Sequence, residues 1–327
     1  MITIVGGSGF IGTRLCSLLD LKRIPFNIVD KQVSRIFPDR TFIRDIRSNV
    51  FSDGVKFHNT IVNLAAEHRD DIQPKSLYFE TNVLGAKNIC EMAVKFNIER
   101  IIFTSSVAVY GFAPIGTNES GAINPFNEYG KTKWEAEKVY KKWQLEDPKN
   151  RTLVVIRPTV VFGERNRGNV FNLLRQIASG KFIMVGDGCN RKSMAYVENI
   201  AAFIEYSLKI NPGIHIYNYI DKPDFTMNTL VGNVNRLLGR PPEIKFRLPF
   251  SLGLLIGLGF DLVAKITGNK FSISVIRVKK FCANSVYDSA IEPTGFIPPV
   301  PLMEAIEKTV RFEFIEDHKA EQVFYSE

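Results

Sequence analysis

A glycine-rich turn at the start of the chain limits the possible folds more than any other feature. The apolar run Ile2–Val5 leads directly into Gly6-Gly7-Ser8-Gly9-Phe10-Ile11-Gly12, and an amphipathic segment follows. A strand, a glycine turn and a helix in this order form a phosphate-binding site, because the free N–H groups and the dipole at the start of the helix attract an anion. The sequence therefore predicts a dinucleotide-binding domain.

The glycines of this turn and the acid after the next predicted strand have separate tasks. Gly6 permits the tight turn, Gly9 lets the backbone approach a pyrophosphate, and Gly12 allows close packing of the helix. Asp30 ends the next strand, where a carboxylate would hold the ribose hydroxyls and repel a 2′-phosphate. We therefore predict NAD rather than NADP as the cofactor. A basic pair nearby favours the alternative, NADP: Lys31 and Arg35.

Short β-branched runs alternate with helical patterns in the first half of the chain. This alternation predicts an α/β fold with a doubly wound parallel sheet of the Rossmann type. The predicted strands are 2–5, 26–30, 41–43, 60–64, 100–104 and 153–157, and the predicted helices are 10–21, 75–96 and 127–146. Beyond residue 158 we predict helices at 169–180 and 196–209, strands at 182–185 and 214–219, and a helical C-terminal region. We assign 1–165 and 194–222 to the dinucleotide-binding domain, and 166–193 and 223–327 to a smaller, mainly helical substrate lobe.

A tyrosine and a lysine four residues apart are the second strong signal. Tyr129 and Lys133 share one face of a predicted helix, and Ser106 follows a strand that ends at the same edge of the sheet. A phenol with a pKa of about 10 is a poor base at neutral pH. A neighbouring ammonium and the positive charge of a nicotinamide favour the phenolate and lower that pKa. These residues predict proton transfer at a hydroxyl group beside the cofactor.

The motifs GGSGFIG, TSSVAVYG and YGKTK resemble, in this order and spacing, the extended short-chain dehydrogenase/reductase family of nucleotide-sugar enzymes. The resemblance implies catalytic roles for Ser106, Tyr129 and Lys133. It also implies an adenine contact for Asp45-Ile46 and a cofactor-lining strand at 63–66. The expected cofactor-binding residues are Gly6, Gly9, Phe10, Ile11, Gly12, Asp30, Asp45, Ile46, Leu64, Ala65, Ala66, Asn82, Tyr129 and Lys133.

Three further segments, 65–71, 157–169 and 192–197, are similar to one branch of this family. That branch contains the bacterial 4-epimerases of N-acetylglucosaminyl-diphospho-undecaprenol, which supply lipid-linked N-acetylgalactosamine for O-antigen assembly. The resemblance implies NAD-dependent C4 epimerisation of a polyprenyl-diphosphate-linked N-acetylhexosamine. A soluble UDP-sugar 4-epimerase is the alternative within the same chemistry.

At two positions this sequence differs from related enzymes, and the differences limit which reactions we expect it to catalyse. Family dehydratases and decarboxylases resemble one another in having an acid just after the catalytic hydroxyl, whereas Val107 and Ala108 stand here and cannot move a proton. Soluble UDP-sugar epimerases resemble one another in an asparagine three residues after the arginine that ends the sixth strand. Val160 occupies that position, which weakens the UDP-sugar alternative without excluding it.

Arginines supply the candidate contacts to a substrate diphosphate. Arg191 matches the arginine that grips the sugar diphosphate in the resembling family, and Arg165 and Arg167 in a glycine-bounded loop would form bidentate phosphate contacts. Surface solvation is the alternative for each of them. The full set of substrate candidates is Arg69, Arg165, Arg167, Asn169 and Arg191.

Charge and hydropathy point to a membrane surface. The formal net charge is +8, and the segment 240–280 alone carries eight basic and two acidic residues, a local charge of +6. It includes the uncharged run 249–260, too short for a bilayer core that needs about 20 residues. We predict peripheral contact of 245–280 with an anionic membrane on its cytoplasmic face, or else a buried helix. No basic motif interleaved with aromatics supports nucleic-acid binding.

Composition adds a few smaller expectations. Four cysteines without pairwise spacing predict reduced thiols in the cytoplasm. The sequence has no Cys/His cluster, so we expect no metal site. The first strand begins at Ile2, so we expect no signal peptide before it. The oligomeric state is open, with a homodimer as one candidate. Two other functions stay open: a membrane-associated lipid or sterol alcohol dehydrogenase, and a non-catalytic cofactor-sensing regulator.

Overall fold

The computed structural model describes residues 1–48, 54, 55, 57–69, 72–268, 274–318 and 322–325. Within these residues a seven-stranded parallel sheet has the order β10-β6-β5-β4-β1-β2-β3. Its strands are β1 (Ile2–Val5), β2 (Phe26–Asp30), β3 (Thr41–Ile43), β4 (Thr60–Asn63), β5 (Arg100–Thr104), β6 (Thr152–Pro158) and β10 (Gly213–Tyr219). The order reverses between β1 and β4, so a ligand is expected beyond the carboxyl ends of those strands.

Helices cover both faces of this sheet because alternate strand residues point to opposite sides. Ile4 and Ile28 pack against α1 (Phe10–Leu21) and α6 (Val197–Tyr206). Val5 and Phe103 pack on the other face against α3 (Gly85–Lys95) and α4 (Glu128–Leu145). The predicted helix at 75–96 consists of α2 (Ser76–Phe79), a π-helical turn at Glu80–Leu84, and α3. The expected doubly wound fold is confirmed.

The remaining elements include five helices of the predicted substrate lobe and several strands that the sequence did not predict. A three-stranded sheet has the order β11-β9-β7, and β8 pairs with β12. These strands are β7 (Val160–Phe162), β8 (Met184–Val185), β9 (Arg191–Tyr196), β11 (Asp221–Thr226) and β12 (Arg247–Leu248). The other helices are α5 (Asn169–Ala178), α7 (Met227–Leu237), α8 (Phe250–Thr267), α9 (Val275–Cys282) and α10 (Leu302–Phe314), with 3-10 turns at Pro38–Arg40, Val107–Tyr110, Ser207–Lys209 and Glu292–Thr294. The division into a cofactor domain and a substrate lobe stays a prediction.

The apolar run 249–260 belongs to a longer helix than the sequence predicted. Helix α8 continues to Thr267, and Asp261 and Lys265 are its charged residues. The alternative of a buried core helix is wrong, because only Gly253 and Gly257 of this helix are buried. These two glycines lie one turn apart on the face that approaches β8 and the start of α9. The opposite face stays exposed.

Candidate active site

The glycine turn lies at the carboxyl end of β1 and is packed too closely for larger residues. Gly6 has a φ of +81°, and a Cβ there would lie 2.6 Å from the backbone nitrogen of Ala65. A Cβ on Gly12 would lie 2.4 Å from the carbonyl oxygen of Gly6. Gly12 therefore packs the first turn of α1 onto the glycine turn itself, whereas we expected close packing on the sheet.

The start of α1 fits a dinucleotide phosphate. Gly9 is its N-cap and provides no side-chain oxygen, so the cap leaves the first N–H groups of the helix to another acceptor. A Cβ on Gly9 would meet only the Gly6 carbonyl oxygen, at 3.3 Å, which keeps the space above this residue open. The Asp30 carboxylate accepts hydrogen bonds from the backbone N–H groups of Ser8 (3.0 Å) and Gln32 (3.1 Å). It is thereby held at the rim of the turn, where a ribose would lie.

The expected adenine and cofactor-lining residues lie around the same sheet edge. The Asp45 carboxylate binds the Arg47 side chain at 2.6 Å, and this hydrogen bond holds the pKa of Asp45 below its usual value. Ile46 is buried against Gly85. Leu64 donates its backbone N–H to Val5, and the next residues, Ala65 and Ala66, run past the glycine turn.

Ser106, Tyr129 and Lys133 come together as the sequence predicted. Ser106 follows β5 and caps the short turn Val107–Tyr110, with its Oγ accepting the N–H of Ala108 at 3.1 Å. Its hydroxyl also hydrogen-bonds the phenol of Tyr129. The Lys133 Nζ lies 6.0 Å from the Tyr129 ring centroid and 4.5 Å from that of Phe103. Serine, phenol and ammonium therefore share one enclosed site.

Burial dominates the acid–base properties of this site. It raises the pKa of Tyr129 to about 12, against a smaller lowering by the Ser106 hydrogen bond. Among the protein's own groups, removal from water disfavours the phenolate more than its neighbours stabilise it, and the lowering expected with the cofactor bound stays a prediction. Burial also lowers the pKa of Lys133 to about 7, and the Glu137 charge opposes that shift.

A buried ion pair beneath the site was missed by the sequence reasoning. Glu137, one turn after Lys133, binds Arg157 of β6 through two hydrogen bonds of 2.9 and 2.6 Å. It also accepts the hydroxyl of Ser105 at 2.7 Å, and both charged side chains are almost fully buried. The four-residue spacing of Tyr129, Lys133 and Glu137 was the available signal, because it places all three on one face of α4. Glu137 thus ties α4 to the ends of β5 and β6.

Asn82 joins two segments of the site, and its expected contact with the cofactor stays a prediction. Its side chain exchanges hydrogen bonds of 2.9 and 3.0 Å with the backbone of Glu67 and donates to the hydroxyl of Thr132 at 3.0 Å. It thereby holds the loop after β4 against α4. His68 lies in this loop, where desolvation lowers the pKa of its imidazole.

The substrate candidates do not form one cluster. Arg167 pairs with Glu313 of α10 at 2.8 Å, and Arg165 donates its backbone N–H to the same carboxylate at 2.6 Å. These contacts give that loop a structural partner. Arg191 begins β9 and is exposed, whereas Asn169 begins α5. Arg69 is exposed beyond β4, next to residues 70 and 71, which lie outside the described part of the chain.

Comparison with known proteins agrees with this geometry. The profile of the NAD dependent epimerase/dehydratase family matches residues 2–218. The chain is 47% identical over 331 residues to the Escherichia coli O157:H7 N-acetyl-alpha-D-glucosaminyl-diphospho-ditrans,octacis-undecaprenol 4-epimerase, covering 100% of this chain and 99% of that one. It is 26% identical to the UDP-glucose 4-epimerase of Vibrio cholerae, covering 95% and 94%. The fold matches the Thermus thermophilus UDP-glucose 4-epimerase complex with NAD at a TM-score of 0.72 and 20% identity, covering 95% and 98%.

The chain belongs to the NAD dependent epimerase/dehydratase family. It is an epimerase of the extended short-chain dehydrogenase/reductase type, and its cofactor is NAD. The glycine turn, Asp30 and the three catalytic candidates are the parts of the structure that fit this assignment.

Proposed function

We propose that this protein inverts C4 of an N-acetylhexosamine carried on a polyprenyl diphosphate, converting GlcNAc into GalNAc for O-antigen or a related surface polysaccharide. The observation that carries the proposal is the full-length 47% identity to an epimerase named for such a substrate. The catalytic candidates support the reaction class, because Ser106 and Tyr129 share a hydrogen bond beside Lys133.

Each catalytic candidate would have a different role in the inversion at C4. Tyr129 would take the proton of the 4-hydroxyl group and return it, while Ser106 holds the same oxygen by a hydrogen bond. NAD, when bound, would supply the acceptor and donor of the hydride at the sugar carbon. Lys133 would hold the nicotinamide ribose, and its positive charge, when present, acts on Tyr129 through little solvent and favours the phenolate. Val107 and Ala108 offer no group for elimination or decarboxylation.

The direct test is an incubation with no added cofactor. Purified protein is given GlcNAc-diphospho-undecaprenol or UDP-GlcNAc, and the released sugar is analysed for C4 inversion. We expect inversion of the lipid-linked sugar. Inversion of UDP-GlcNAc alone would support a soluble UDP-sugar epimerase instead. NADH accumulation with an alcohol substrate would support a dehydrogenase, and absence of every reaction with NAD bound would support a regulator.

We propose in addition that the protein binds the cytoplasmic face of an anionic membrane peripherally through α8. One stripe of this helix is apolar and strongly exposed: Leu255 (64%), Leu258 (60%), Leu262 (59%) and Ile266 (76%). Among the described residues α8 is the one helix long and apolar enough to cross a membrane by length and composition. Its 18 residues span about 27 Å, slightly less than a bilayer core of about 30 Å, and its glycine face packs on protein. A helix of this length with one face packed on protein can lie in the plane of the membrane surface with its exposed apolar stripe toward the lipid.

The charges around α8 support an anionic surface. Arg240 donates to the carbonyl of Ile177, and Arg247 binds Asp187 and Asn228, so these two basic residues are held against the protein. Lys270 lies outside the described residues. The exposed lysines of the α8 and α9 region include Lys265, Lys279 and Lys280. Basic residues near an anionic leaflet contribute about 1 kcal/mol each.

Vesicle sedimentation tests the membrane proposal. We expect the protein to bind vesicles containing phosphatidylglycerol at low salt, less at high salt, and not to bind pure phosphatidylcholine. Replacing Leu255, Leu258 and Leu262 with serine should reduce binding at least tenfold, because the exposed stripe supplies the apolar contact. The matched control replaces Leu21, Leu145 and Ile297, which are 81%, 64% and 83% exposed on other elements. Equal loss in both triple variants, or no binding by the wild type, would contradict the proposal.

A homodimer stays a prediction, to be tested by analytical ultracentrifugation.

A further inference from the structure

Two exposed aromatic rings stack on each other beside the catalytic residues, and the reaction steps above give them no task. The ring centroids of Phe112 and Phe126 lie 4.8 Å apart with an interplanar angle of 23°. The side chains are 63% and 46% exposed. Ile115, in the same loop as Phe112, is 66% exposed. A contiguous apolar surface of this kind marks a binding site more often than scattered exposed residues do.

Each phenylalanine is joined to one of the two catalytic segments. Phe112 follows Gly111, which ends the turn that Ser106 caps. Phe126 precedes the N-cap of α4, and the three residues from Phe126 to Tyr129 span at most about 11 Å. The aromatic pair therefore belongs to the two chain segments that carry Ser106 and Tyr129.

Close backbone contacts fix the two segments against each other. The N–H of Asn124 donates to the carbonyl of Val109 at 3.0 Å. A Cβ on Gly130 would lie 2.5 Å from the carbonyl oxygen of Ala108. The aromatic pair is therefore held in a set position relative to Ser106 and Tyr129.

A cation covers one of the rings and links the pair to the membrane-facing helices. The Lys280 Nζ lies 4.9 Å from the Phe126 ring centroid. Lys280 belongs to α9, whose carboxyl end is held by Lys192, which donates to the carbonyls of Lys280 (2.7 Å) and Ala283 (2.6 Å). Lys192 is the neighbour of Arg191 in β9, and α9 packs on α8. Lys280 thus connects the aromatic pair to the helix that packs on α8.

We propose that Phe112 and Phe126 bind the first isoprene units of the lipid-linked substrate, with Lys280 on the adjoining diphosphate. This proposal depends on the proposed function. An apolar surface directly beside a cation matches the junction between a prenyl chain and its diphosphate. A nucleobase could also stack on these rings, but the loop 112–115 reads Phe-Ala-Pro-Ile and has no polar side chain for the edge of a base. The apolar loop therefore favours a prenyl chain.

Kinetics with three substrates distinguish the effect of this site from the effect of the membrane contact. The substrates are GlcNAc-diphospho-undecaprenol, a water-soluble GlcNAc diphosphate with a short prenyl chain, and UDP-GlcNAc. We expect Phe112→Ser and Phe126→Ser to raise KM for the short prenyl substrate about tenfold and change kcat little. Phe112→Leu should restore most of the affinity, because it keeps an apolar surface. Lys280→Gln should raise KM for every diphosphate that the enzyme accepts.

The controls isolate the first isoprene units. The serine variant of Leu255, Leu258 and Leu262 should leave KM for the short prenyl substrate unchanged, as should Ile297→Ser. An unchanged KM in both phenylalanine variants would overturn the proposal, and so would an equal rise in KM for UDP-GlcNAc. Should the wild type turn over no lipid-linked sugar, the proposed function fails. Calorimetric binding of the short prenyl compound then decides the site separately: weaker binding by Phe112→Ser supports it, and equal binding overturns it.

Discussion

At the scale of single residues, desolvation decides the pKa values of Tyr129 and Lys133. It moves both of them away from the values that the two groups have in water. Burial raises the pKa of Tyr129 to about 12 and lowers that of Lys133 to about 7. A YxxxK spacing predicts that the two side chains are neighbours. It does not predict the sign of the shift at Tyr129, because desolvation depends on residues from other strands, such as Phe103 of β5.

Tyr129→Phe should bind NAD normally and lose turnover by at least about 10²-fold, the usual contribution of a positioned acid–base group. The variant keeps the ring and its contact with Lys133 and removes only the hydroxyl that Ser106 bonds. C4 inversion and NAD calorimetry on the same preparation measure the two effects. Turnover near the wild-type rate would remove Tyr129 from the mechanism.

The lowered pKa of Lys133 makes a prediction about stability. Between pH 7 and about 10.5 the unfolded chain binds a proton at Lys133 that the folded chain does not, so stability rises with pH through this window. Below pH 7 the folded protein carries the full cost of the buried charge. Lys133→Met removes that cost, so its gain in unfolding free energy should be a few kcal/mol at pH 6 and should decrease toward pH 10. Urea unfolding without added nucleotide measures the difference, and a gain independent of pH would contradict the assignment.

At the scale of elements, the sequence predicted correctly those helices and strands that are specified by residues close together in the chain. The strand, glycine turn and helix at residues 2–21 are specified by neighbours in sequence, and the structure has them at the predicted bounds. The sheet β11-β9-β7 was missed because β9 begins with Arg191, Lys192 and Ser193, whose polarity hides the strand pattern. Helix α8 was underestimated because Asp261 ends the uncharged run. In the fold this carboxylate accepts the N–H of Val275 at the start of α9, so the helix continues past it.

The pair of Glu137 and Arg157 joins α4 to β6 and was equally hidden, since its partners lie 20 residues apart in different elements. Glu137→Gln should destabilise the protein by about 3–5 kcal/mol, because it leaves the guanidinium of Arg157 buried without its counter-charge. The double variant Glu137→Gln/Arg157→Met should be less destabilised than the single one. Denaturant unfolding of the wild type, the two single variants Glu137→Gln and Arg157→Met, and the double variant decides this, and strictly additive losses would show that the two side chains do not interact.

At the scale of the whole molecule, the two ends of the chain meet at the cofactor site. Phe324 near the C-terminus lies 5.7 Å from Phe10, the first residue of α1, between ring centroids. Its backbone is paired on both sides with the loop after β7: Phe324 donates to Arg165 at 2.8 Å, and Arg167 donates to Phe324 at 2.7 Å. Glu313 of α10 fixes that loop in turn. Residues 322–325 thus pack against the first residue of α1, beside the glycine turn where a pyrophosphate would bind.

An epimerase that returns its hydride has no need to release NAD in each cycle, so a contact that helps to retain NAD would suit the proposed reaction. Phe324→Ala should therefore speed the release of NAD by roughly tenfold, since it removes the ring that packs on Phe10 and the apolar contact it makes. The matched control is Tyr325→Ala, at a neighbouring residue that is 68% exposed. Release is measured by trapping NAD from the loaded protein with an excess of a second enzyme. Equal rates for the two variants would show that the C-terminal segment packs beside the site without retaining the cofactor.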